Sequence, residues 1–207
     1  MVTRRLTTYT GAYHSRFAVI PDYNVGVVVL TTGSGGPAAQ MALFETVLAD
    51  LLPGLDATAR SQAEENLAGT YTASSPEVNT TITFATEPSL PGLKVTSFIS
   101  NSSDVLSNLL AAARKYPNPD VRLYPTELVR KTDDGSEVRK YNAVFNDPDA
   151  EYPDRQIEAM NCVSWSMVDL DVYGAVGLDE VWVKTDASGK GVGVEMRAYG
   201  AKMERVG

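Results

Sequence analysis

Cysteine and histidine are nearly missing from this chain of 207 residues, which has one of each. Cys162 has no partner within the chain, which excludes an internal disulfide, and His14 with Cys162 is too small a set for a His/Cys metal site. The chain also lacks a run of about 18 consecutive apolar residues, so we expect no transmembrane helix. The N-terminal residues are polar, carry Arg4 and Arg5, and lack the apolar core of a secretory signal.

Positive charge is scarce as well. The chain has 18 Lys and Arg against 26 Asp and Glu, a net charge of −8, so we expect neither nucleic acid nor a membrane as a partner. Residues 1–55 carry three basic and three acidic side chains, whereas residues 56–207 carry 15 basic and 23 acidic ones. The length allows one large domain or two small ones, and this uneven charge favours two structural units.

Two β-prone runs near the N-terminus predict a hairpin. Residues 17–20 and 25–31 are rich in apolar β-formers, and Pro21-Asp22-Tyr23-Asn24 between them favours a turn. The second run is apolar on both faces, which indicates a central strand covered on both sides. Because two strands bury too little surface to be stable alone, this hairpin needs further strands or covering layers.

A helix and a linker follow the hairpin. Apolar residues recur at helical spacing after Pro37, which suits the first position of a helix. We expect Pro53-Gly54 to end this helix. Asp56 then caps a second, polar helix, and we interpret residues 56–68 as a linker helix.

From Gly69 onward the pattern changes to short strands. Turn sequences at 133–135 and 187–190 predict hairpins, and one helix is predicted from Ser103 to about Lys115. Many short antiparallel strands with regular turns suggest a small barrel or sandwich. The predicted strands are residues 70–73, 80–85, 93–99, 122–124, 127–132, 137–145, 162–168, 180–185, 192–198 and 202–205.

Residue types that could support catalysis are few. A Ser-His-Asp or Cys-His site would need His14, with Cys162 as the thiol, and the two lie in different predicted units, so we reject such a site. Gly33-Ser34-Gly35-Gly36 precedes a helix but lacks the Lys and the spacing of a phosphate-binding loop, so we interpret it as a turn. We predict no catalytic, cofactor-binding or metal-binding residues, and no cofactor.

Acidic residues cluster near residue 170. Asp169 and Asp171 share one face of an extended segment, and Asp179 and Glu180 follow nearby. A calcium site would need more oxygen ligands in a tighter loop. We predict a solvated acidic edge, since such charges protect a sheet edge from pairing with another chain.

Two further patterns have ordinary interpretations. Asn79-Thr80-Thr81 and Asn101-Ser102-Ser103 are N-glycosylation sequons, which matter only if the chain enters a secretory pathway. Aromatic residues on strands are more often core than ligand pocket, and we expect this of Tyr9, Tyr13, Tyr23, Trp165 and Trp182.

Residues 13–32, YHSRFAVIPDYNVGVVVLTT, resemble the secreted fungal serine β-lactamase-like proteins, which are penicillin-binding-protein-like hydrolases. In that family a Lys-Ser/Thr-Gly motif opens a strand of a central antiparallel sheet. A Tyr-Ser-like strand, an Ile-Pro-Asp-Tyr-x-Val-Gly hairpin and a helix packed on the sheet follow. Residues 1–55 are similar to this last quarter of the hydrolase domain. Leu67-Ala68-Gly69-Thr70-Tyr71 resembles the start of the family's C-terminal, lipocalin-like β-barrel.

The chain departs from the family in its catalytic motifs. Such hydrolases need a Ser-x-x-Lys nucleophile, and neither this motif nor Thr-x-x-Lys occurs here. Where the Lys-Ser/Thr-Gly motif is expected, the chain reads Tyr9-Thr10-Gly11, with Tyr in place of Lys. The Tyr-x-Asn sequence Tyr116-Pro117-Asn118 lies in the other predicted domain, and we interpret it as a helix exit.

The sequence thus predicts an α+β fold in which the terminal antiparallel hairpin and helix of a serine β-lactamase-like domain precede a mostly antiparallel, lipocalin-like β-barrel. Residues 1–55 would be the remnant of a catalytic domain, residues 56–68 the linker helix and residues 69–207 the accessory barrel. The predicted function is that of a non-catalytic C-terminal fragment of a β-lactamase-related serine hydrolase, as a truncated gene would produce. No location in the cell is assigned.

Two alternatives stay open. In one, the barrel binds a small apolar ligand, which inward-facing Trp165, Met167 or Trp182 would favour and a filled interior would oppose. In the other, the chain completes a separately encoded hydrolase, with residues 1–35 supplying the missing edge of its sheet. The expected partners are therefore a small apolar ligand or the missing N-terminal part of the hydrolase.

Overall fold

The computed structural model of the chain describes residues 4–73, 79–88, 90–108, 118–146 and 168–207. It divides into two compact units, Met1–Ala59 and Arg60–Gly207. The described elements form a mixed α/β fold whose strand pairings are antiparallel. The coarse prediction of an α+β fold with mostly antiparallel strands is therefore confirmed.

Unit 1 contains a three-stranded sheet with the order β1-β2-β3. The strands are β1 (Arg4–Thr10), β2 (Tyr13–Ile20) and β3 (Val25–Thr32). A short turn of helix joins β2 to β3, and Asn24 closes it with a left-handed φ of 53°. The predicted hairpin is confirmed, and β1 is the further strand that this hairpin needs.

The core of unit 1 lies between this sheet and helix α1 (Gly36–Asn66). Ala18 and Ile20 of β2 are buried against Phe44 and Leu48 of the helix. These positions alternate along the strand and are four apart along the helix, so each element offers one apolar side to the other.

Helix α1 contradicts the predicted stop at Pro53-Gly54, because it continues through Pro53 to Asn66. Proline inside a helix removes one backbone hydrogen bond and costs about 3 kcal/mol. Leu52 and Leu55, on either side of the proline, both pack against the core of unit 1. Burial of these side chains offsets the local penalty and keeps the segment helical.

By length and composition alone, α1 is also long and apolar enough to cross a membrane, a test that core helices pass as well. Phe44 and Leu48 of α1 belong to the buried core of unit 1, but only 17% of its apolar 18-residue window is buried. The expected absence of a membrane helix stays a prediction.

Unit 2 is built on a nine-stranded sheet. Its strands are β4 (Gly69–Ala73), β5 (Thr81–Glu87), β6 (Leu90–Ser100), β7 (Ser103–Asp104), β8 (Asp120–Lys131), β9 (Glu137–Asn146), β12 (Glu180–Thr185), β13 (Gly191–Met196) and β14 (Ala201–Val206), and a separate small hairpin joins β10 (Val172–Tyr173) to β11 (Val176–Gly177). The order in the large sheet is β5-β4-β14-β13-β12-β9-β8-β6-β7, and β5 also pairs with β6.

Several strand predictions need correction. The two strands predicted at 122–124 and 127–132 are one strand, β8, with an irregular register between Pro125 and Val129. The helix predicted from Ser103 begins later, because Ser103–Asp104 form β7 and residues 105–108 are helical. Its predicted continuation and exit, residues 109–117, lie outside the described residues. The strand predicted at 162–168 lies outside the described residues except for Val168, which is in a turn.

The core of unit 2 is apolar and contains two aromatic pairs. The rings of Tyr71 and Phe84 are 5.4 Å apart, and those of Phe98 and Tyr199 meet edge to face at 4.9 Å. Alternate residues of each strand point into this core. The residues between them therefore lie on the opposite, outward face of the sheet.

Candidate functional site

The segment expected to hold the Lys-Ser/Thr-Gly motif lies at the turn from β1 to β2. Tyr9 and Thr10 end β1, and Gly11 lies in the turn to β2 with a φ of 61°. Tyr9-Thr10-Gly11 thus lies just before β2, which begins at Tyr13, where the resemblance places the motif. A tyrosine occupies the place of the lysine.

His14 lies in β2 between Tyr9 of β1 and Thr31 of β3. A Cβ atom on Gly36, at the start of α1, would lie 2.7 Å from Cδ2 of His14, so the imidazole packs closely on this glycine. Cys162 lies outside the described residues. Within the described ranges, no group of three or more His, Cys, Asp and Glu side chains could hold a metal ion.

On β2 and β3, one face of the unit 1 sheet is largely apolar and open to solvent. Val28 and Leu30 of β3 are 65% and 74% exposed, and Tyr13 of β2 is 71% exposed. Phe17 and Val19 belong to the same face and are also exposed. We call these five residues the open sheet face. We expected β3 to be covered on both faces. Among the described residues, it is covered on one face only.

The acidic residues near 170 form the predicted solvated edge only in part, because Asp169 is exposed whereas Asp179 is buried. Asp179 is 3% exposed, and its Oδ2 accepts a hydrogen bond of 2.9 Å from the backbone N–H of Asp169. Glu180 is also largely buried and accepts a hydrogen bond of 2.8 Å from Trp182 Nε1. Burial alone would raise the pKa of Glu180, but hydrogen bonds from Trp182 and Arg197 outweigh it and lower that pKa.

The aromatic residues follow the core prediction only in part. Tyr13 is exposed, whereas Tyr23 packs against the core of unit 1 and donates a hydrogen bond to Asp56. Trp182 lies on the outer face of unit 2, where the guanidinium groups of Arg130 and Arg197 lie 5.8 and 5.5 Å from its ring. Trp165, Met167 and the side chain of Tyr9 lie outside the described part of the chain.

A charged cavity of about 580 Å³ lies on the side of β6 and β8 that faces away from the core. Arg122 of β8 is 5% exposed. Its Nε donates to Asp120 Oδ2 at 2.7 Å, and its other nitrogens reach Glu87 and two backbone carbonyls. Lys94 Nζ lies 3.3 Å from Glu87 Oε2 and 3.7 Å from Asp120 Oδ1. We call Glu87, Lys94, Asp120 and Arg122 the charged quartet.

The charged quartet balances its own charge. Lys94 and Arg122 are direct neighbours across β6 and β8, so two cations lie side by side. Two carboxylates lie between them, and the hydrogen bonds from Arg122 and then Lys94 lower the pKa of Glu87. Because the guanidinium of Arg122 is fully used by these partners, the quartet holds the strands together rather than offering a free cation.

Residues 59–207 match the family model described as "Beta-lactamase-like-like, C-terminal domain". This chain belongs to that family. A beta-lactamase-like protein of Arthroderma benhamiae is 30% identical over 89% of this chain and 34% of the relative's own length. The chain thus spans about a third of the length of this curated relative. No solved structure matches the chain.

The predicted resemblance to beta-lactamase-like proteins is confirmed, and the match is to their C-terminal part. The family model begins at residue 59, where the chain also divides into its two units. The finer boundaries predicted at residues 55 and 68 stay a prediction.

Sequence reasoning missed the charged quartet of this beta-lactamase-like C-terminal domain. The segment Asp120-Val121-Arg122-Leu123 contained a signal, because charged and apolar residues alternate strictly along it. Such alternation predicts one charged and one apolar face on a strand. The sequence did not show that Glu87 and Lys94, far from β8 along the chain, meet the charged face.

Proposed function

We propose that this chain is the non-catalytic C-terminal part of a β-lactamase-related serine hydrolase. Unit 1 would complete the sheet of the hydrolase domain, and unit 2 would be an accessory barrel, with residues 1–55, 56–68 and 69–207 as the three segments. The open sheet face is the observation that carries this proposal, because a chain that folds alone rarely exposes a contiguous apolar surface on a strand pair.

The open sheet face has the composition of an interior surface. Phe17 of β2 lies directly opposite Val28 of β3, and Leu30 follows two residues later on the same side. The other side of the same strands is closed by α1 through Ala18 and Ile20. Helix α1 thus covers one face of the sheet and leaves the other open. This arrangement supports the proposal that another part of the hydrolase supplies a second layer over the open sheet face.

The missing motifs support a non-catalytic assignment. Acyl transfer by this class needs a serine activated by a nearby lysine, and no Ser-x-x-Lys occurs in the chain. Just before β2, where the resemblance places the Lys-Ser/Thr-Gly motif, the chain reads Tyr9-Thr10-Gly11 and lacks the lysine. The nucleophile and its base would therefore have to be supplied by another part of the hydrolase.

The strand order supports a closed, lipocalin-like barrel for unit 2. The order β5-β4-β14-β13-β12-β9-β8-β6 begins with the strand that also pairs with its last member, β6. This extra pairing would close a ring of eight strands, and full closure is one way in which antiparallel proteins avoid free edges.

A small apolar ligand inside this barrel is the weaker alternative. The described interior is occupied by its own side chains, with Tyr71 against Phe84 and Phe98 against Tyr199. Most of the residues that line the cavity beside the charged quartet are charged or polar, although Leu90, Leu106 and Pro119 also line it. Both observations count against an apolar ligand as the partner of unit 2.

Two assays test the proposal on the purified chain. With nitrocefin and p-nitrophenyl acetate, we expect no hydrolysis above a heat-killed control, because the nucleophile is missing. Activity that a serine-acylating inhibitor removes would overturn the non-catalytic assignment.

The second assay concerns the partner. Co-expression with a β-lactamase-like segment that carries Ser-x-x-Lys and lacks its own C-terminal third should yield a complex that co-purifies. If the complex forms with wild-type chain and equally well with Leu30→Lys, the open sheet face is not the contact surface. If no complex forms with either chain, the proposed completion of a hydrolase sheet is wrong.

A further inference from the structure

The two N-glycosylation sequons, far apart in sequence, lie beside each other in unit 2. Asn79 precedes β5, and Asn101-Ser102 connects β6 to β7. Asn79 Nδ2 donates to Ser102 Oγ at 3.0 Å, and the backbone N–H of Ser102 donates to Asn79 O at 3.0 Å. The backbone N–H of Asn101 donates to Thr80 Oγ1 at 3.2 Å. The middle residues of the two sequons, Thr80 and Ser102, thus join them.

Asn101 and Ser102 form a two-residue hairpin turn. Ser100 and Ser103 pair on either side of it, and both turn residues have positive φ, 48° and 65°. A turn with two left-handed residues is the type I′ hairpin, in which Asn is favoured first and Gly second. The turn therefore holds Asn101 at the tip of a hairpin, in the conformation that asparagine tolerates best among ordinary residues.

Both asparagines are exposed, whereas Thr80 between them is buried. An N-linked glycan is bulky and hydrophilic and can be kept only at a surface position. The hydroxyl residues that complete the sequons, Thr81 and Ser103, lie at the starts of β5 and β7. The folded chain thus leaves room at both acceptor side chains.

We propose that Asn79 and Asn101 form one N-glycan acceptor surface, filled when the chain passes through a secretory pathway. The donor is an oligosaccharide joined to a lipid through pyrophosphate, supplied with its transferase by the host. Asn Nδ2 attacks C1 of the first sugar, the bond from C1 to the pyrophosphate oxygen breaks, and Nδ2 gives up one proton. The second Nδ2 hydrogen stays, so a glycosylated Asn79 can still donate to Ser102. This proposal does not depend on a hydrolase origin of the chain.

The test is secretion of the full chain behind a cleavable leader in yeast. We expect a mass increase that peptide-N-glycosidase removes, with conversion of Asn to Asp at positions 79 and 101 in the mapped peptides. Ser103→Ala should remove the glycan at Asn101 and leave the one at Asn79. Thr81→Val should do the reverse, and the double variant should carry none.

Two controls separate glycosylation from folding. Ser103→Ala leaves the left-handed Asn101 in place, so it removes the sequon without disturbing the turn. Ser102→Gly keeps the sequon and suits the φ of 65°, so its glycan at Asn101 should persist. A secreted, folded wild-type chain without glycan at either asparagine would overturn the proposal. Glycan found only on an aggregated fraction would overturn it as well, because the fold would then not accommodate the sugar.

Discussion

Arg122 illustrates at the scale of one residue how unit 2 uses buried charge. It is 5% exposed and holds Asp120, itself 8% exposed, through a hydrogen bond of 2.7 Å. Removing one partner of a buried ion pair leaves the other charge unpaired, and that loss exceeds the value of the pair itself. The stability of this region should therefore respond strongly to a change at Arg122.

We predict that Arg122→Met lowers the free energy of unfolding by about 3 kcal/mol, because Asp120 loses its hydrogen-bonded guanidinium and keeps only the more distant Lys94 as a cation. Arg139→Met is the matched control, since Arg139 pairs with Glu137 at a half-buried position and should cost about 1 kcal/mol or less. Urea unfolding of the full chain measures both. Equal effects from the two variants would mean that the charged quartet has no special role.

Asp134 gives a prediction on pH at the same scale. Hydrogen bonds from the Thr132 hydroxyl and from Ser136 lower its pKa from 3.8 to about 2. Between pH 3.8 and about 2 the unfolded chain binds more protons than the folded chain does. Asp134 should therefore stabilise the fold fully above about pH 5, and the free energy of unfolding should fall on acidification toward pH 2. Asp134→Asn should flatten this decline, whereas Asp133→Asn in the same turn should not. Urea midpoints at pH 6, 4 and 3 provide the check, and a rise on acidification would contradict it.

Helix α1 shows at the scale of an element how packing decides between a stop and a continuation. The local signal of Pro53-Gly54 favours a helix end, yet Leu52 and Leu55 on either side of it pack on the same core. Partial burial of these two side chains offsets much of the helix penalty of about 3 kcal/mol. The penalty is still present in the folded state and can be removed by mutation.

We predict that Pro53→Ala raises the free energy of unfolding, by up to about 3 kcal/mol, because it restores a helical hydrogen bond. Replacing a proline in a loop has the opposite effect, because it increases the conformational entropy of the unfolded chain and so lowers the free energy of unfolding. Pro37→Ala, at the second residue of α1, should change stability little. A loss of stability in Pro53→Ala would show that the helix ends where the sequence predicted.

At the scale of the whole molecule, the two units differ in what they leave uncovered. In unit 2 the inward-facing apolar side chains of the strands meet in one core. In unit 1 the core is small, and the open sheet face leaves Val28 and Leu30 in solvent. A chain with this surface should associate with itself when nothing else covers it.

We predict that the isolated chain aggregates through the open sheet face and that Leu30→Lys reduces this without lowering the urea midpoint. Leu30 is 74% exposed, so a charged side chain there costs little in the folded state. Met41→Lys is the control, because Met41 is 53% exposed on α1 rather than on the sheet. Light scattering against concentration gives the readout. Equal solubility of wild type and Leu30→Lys would argue against an adhesive face.

Features that depend on neighbouring residues could be predicted from residue order alone. The hairpin around Pro21-Asp22-Tyr23-Asn24 was predictable because Pro and Asn set φ locally. The family was predictable because residues 13–32 and 67–71 resemble it, and the family model then matched residues 59–207. The missing Ser-x-x-Lys is likewise a statement about residue order. Residue order did not show that α1 continues through Pro53, that Asp179 is buried or that Arg122 meets Glu87. These depend on residues that are distant along the chain, and burial and charge pairing across strands outweigh what each segment prefers alone.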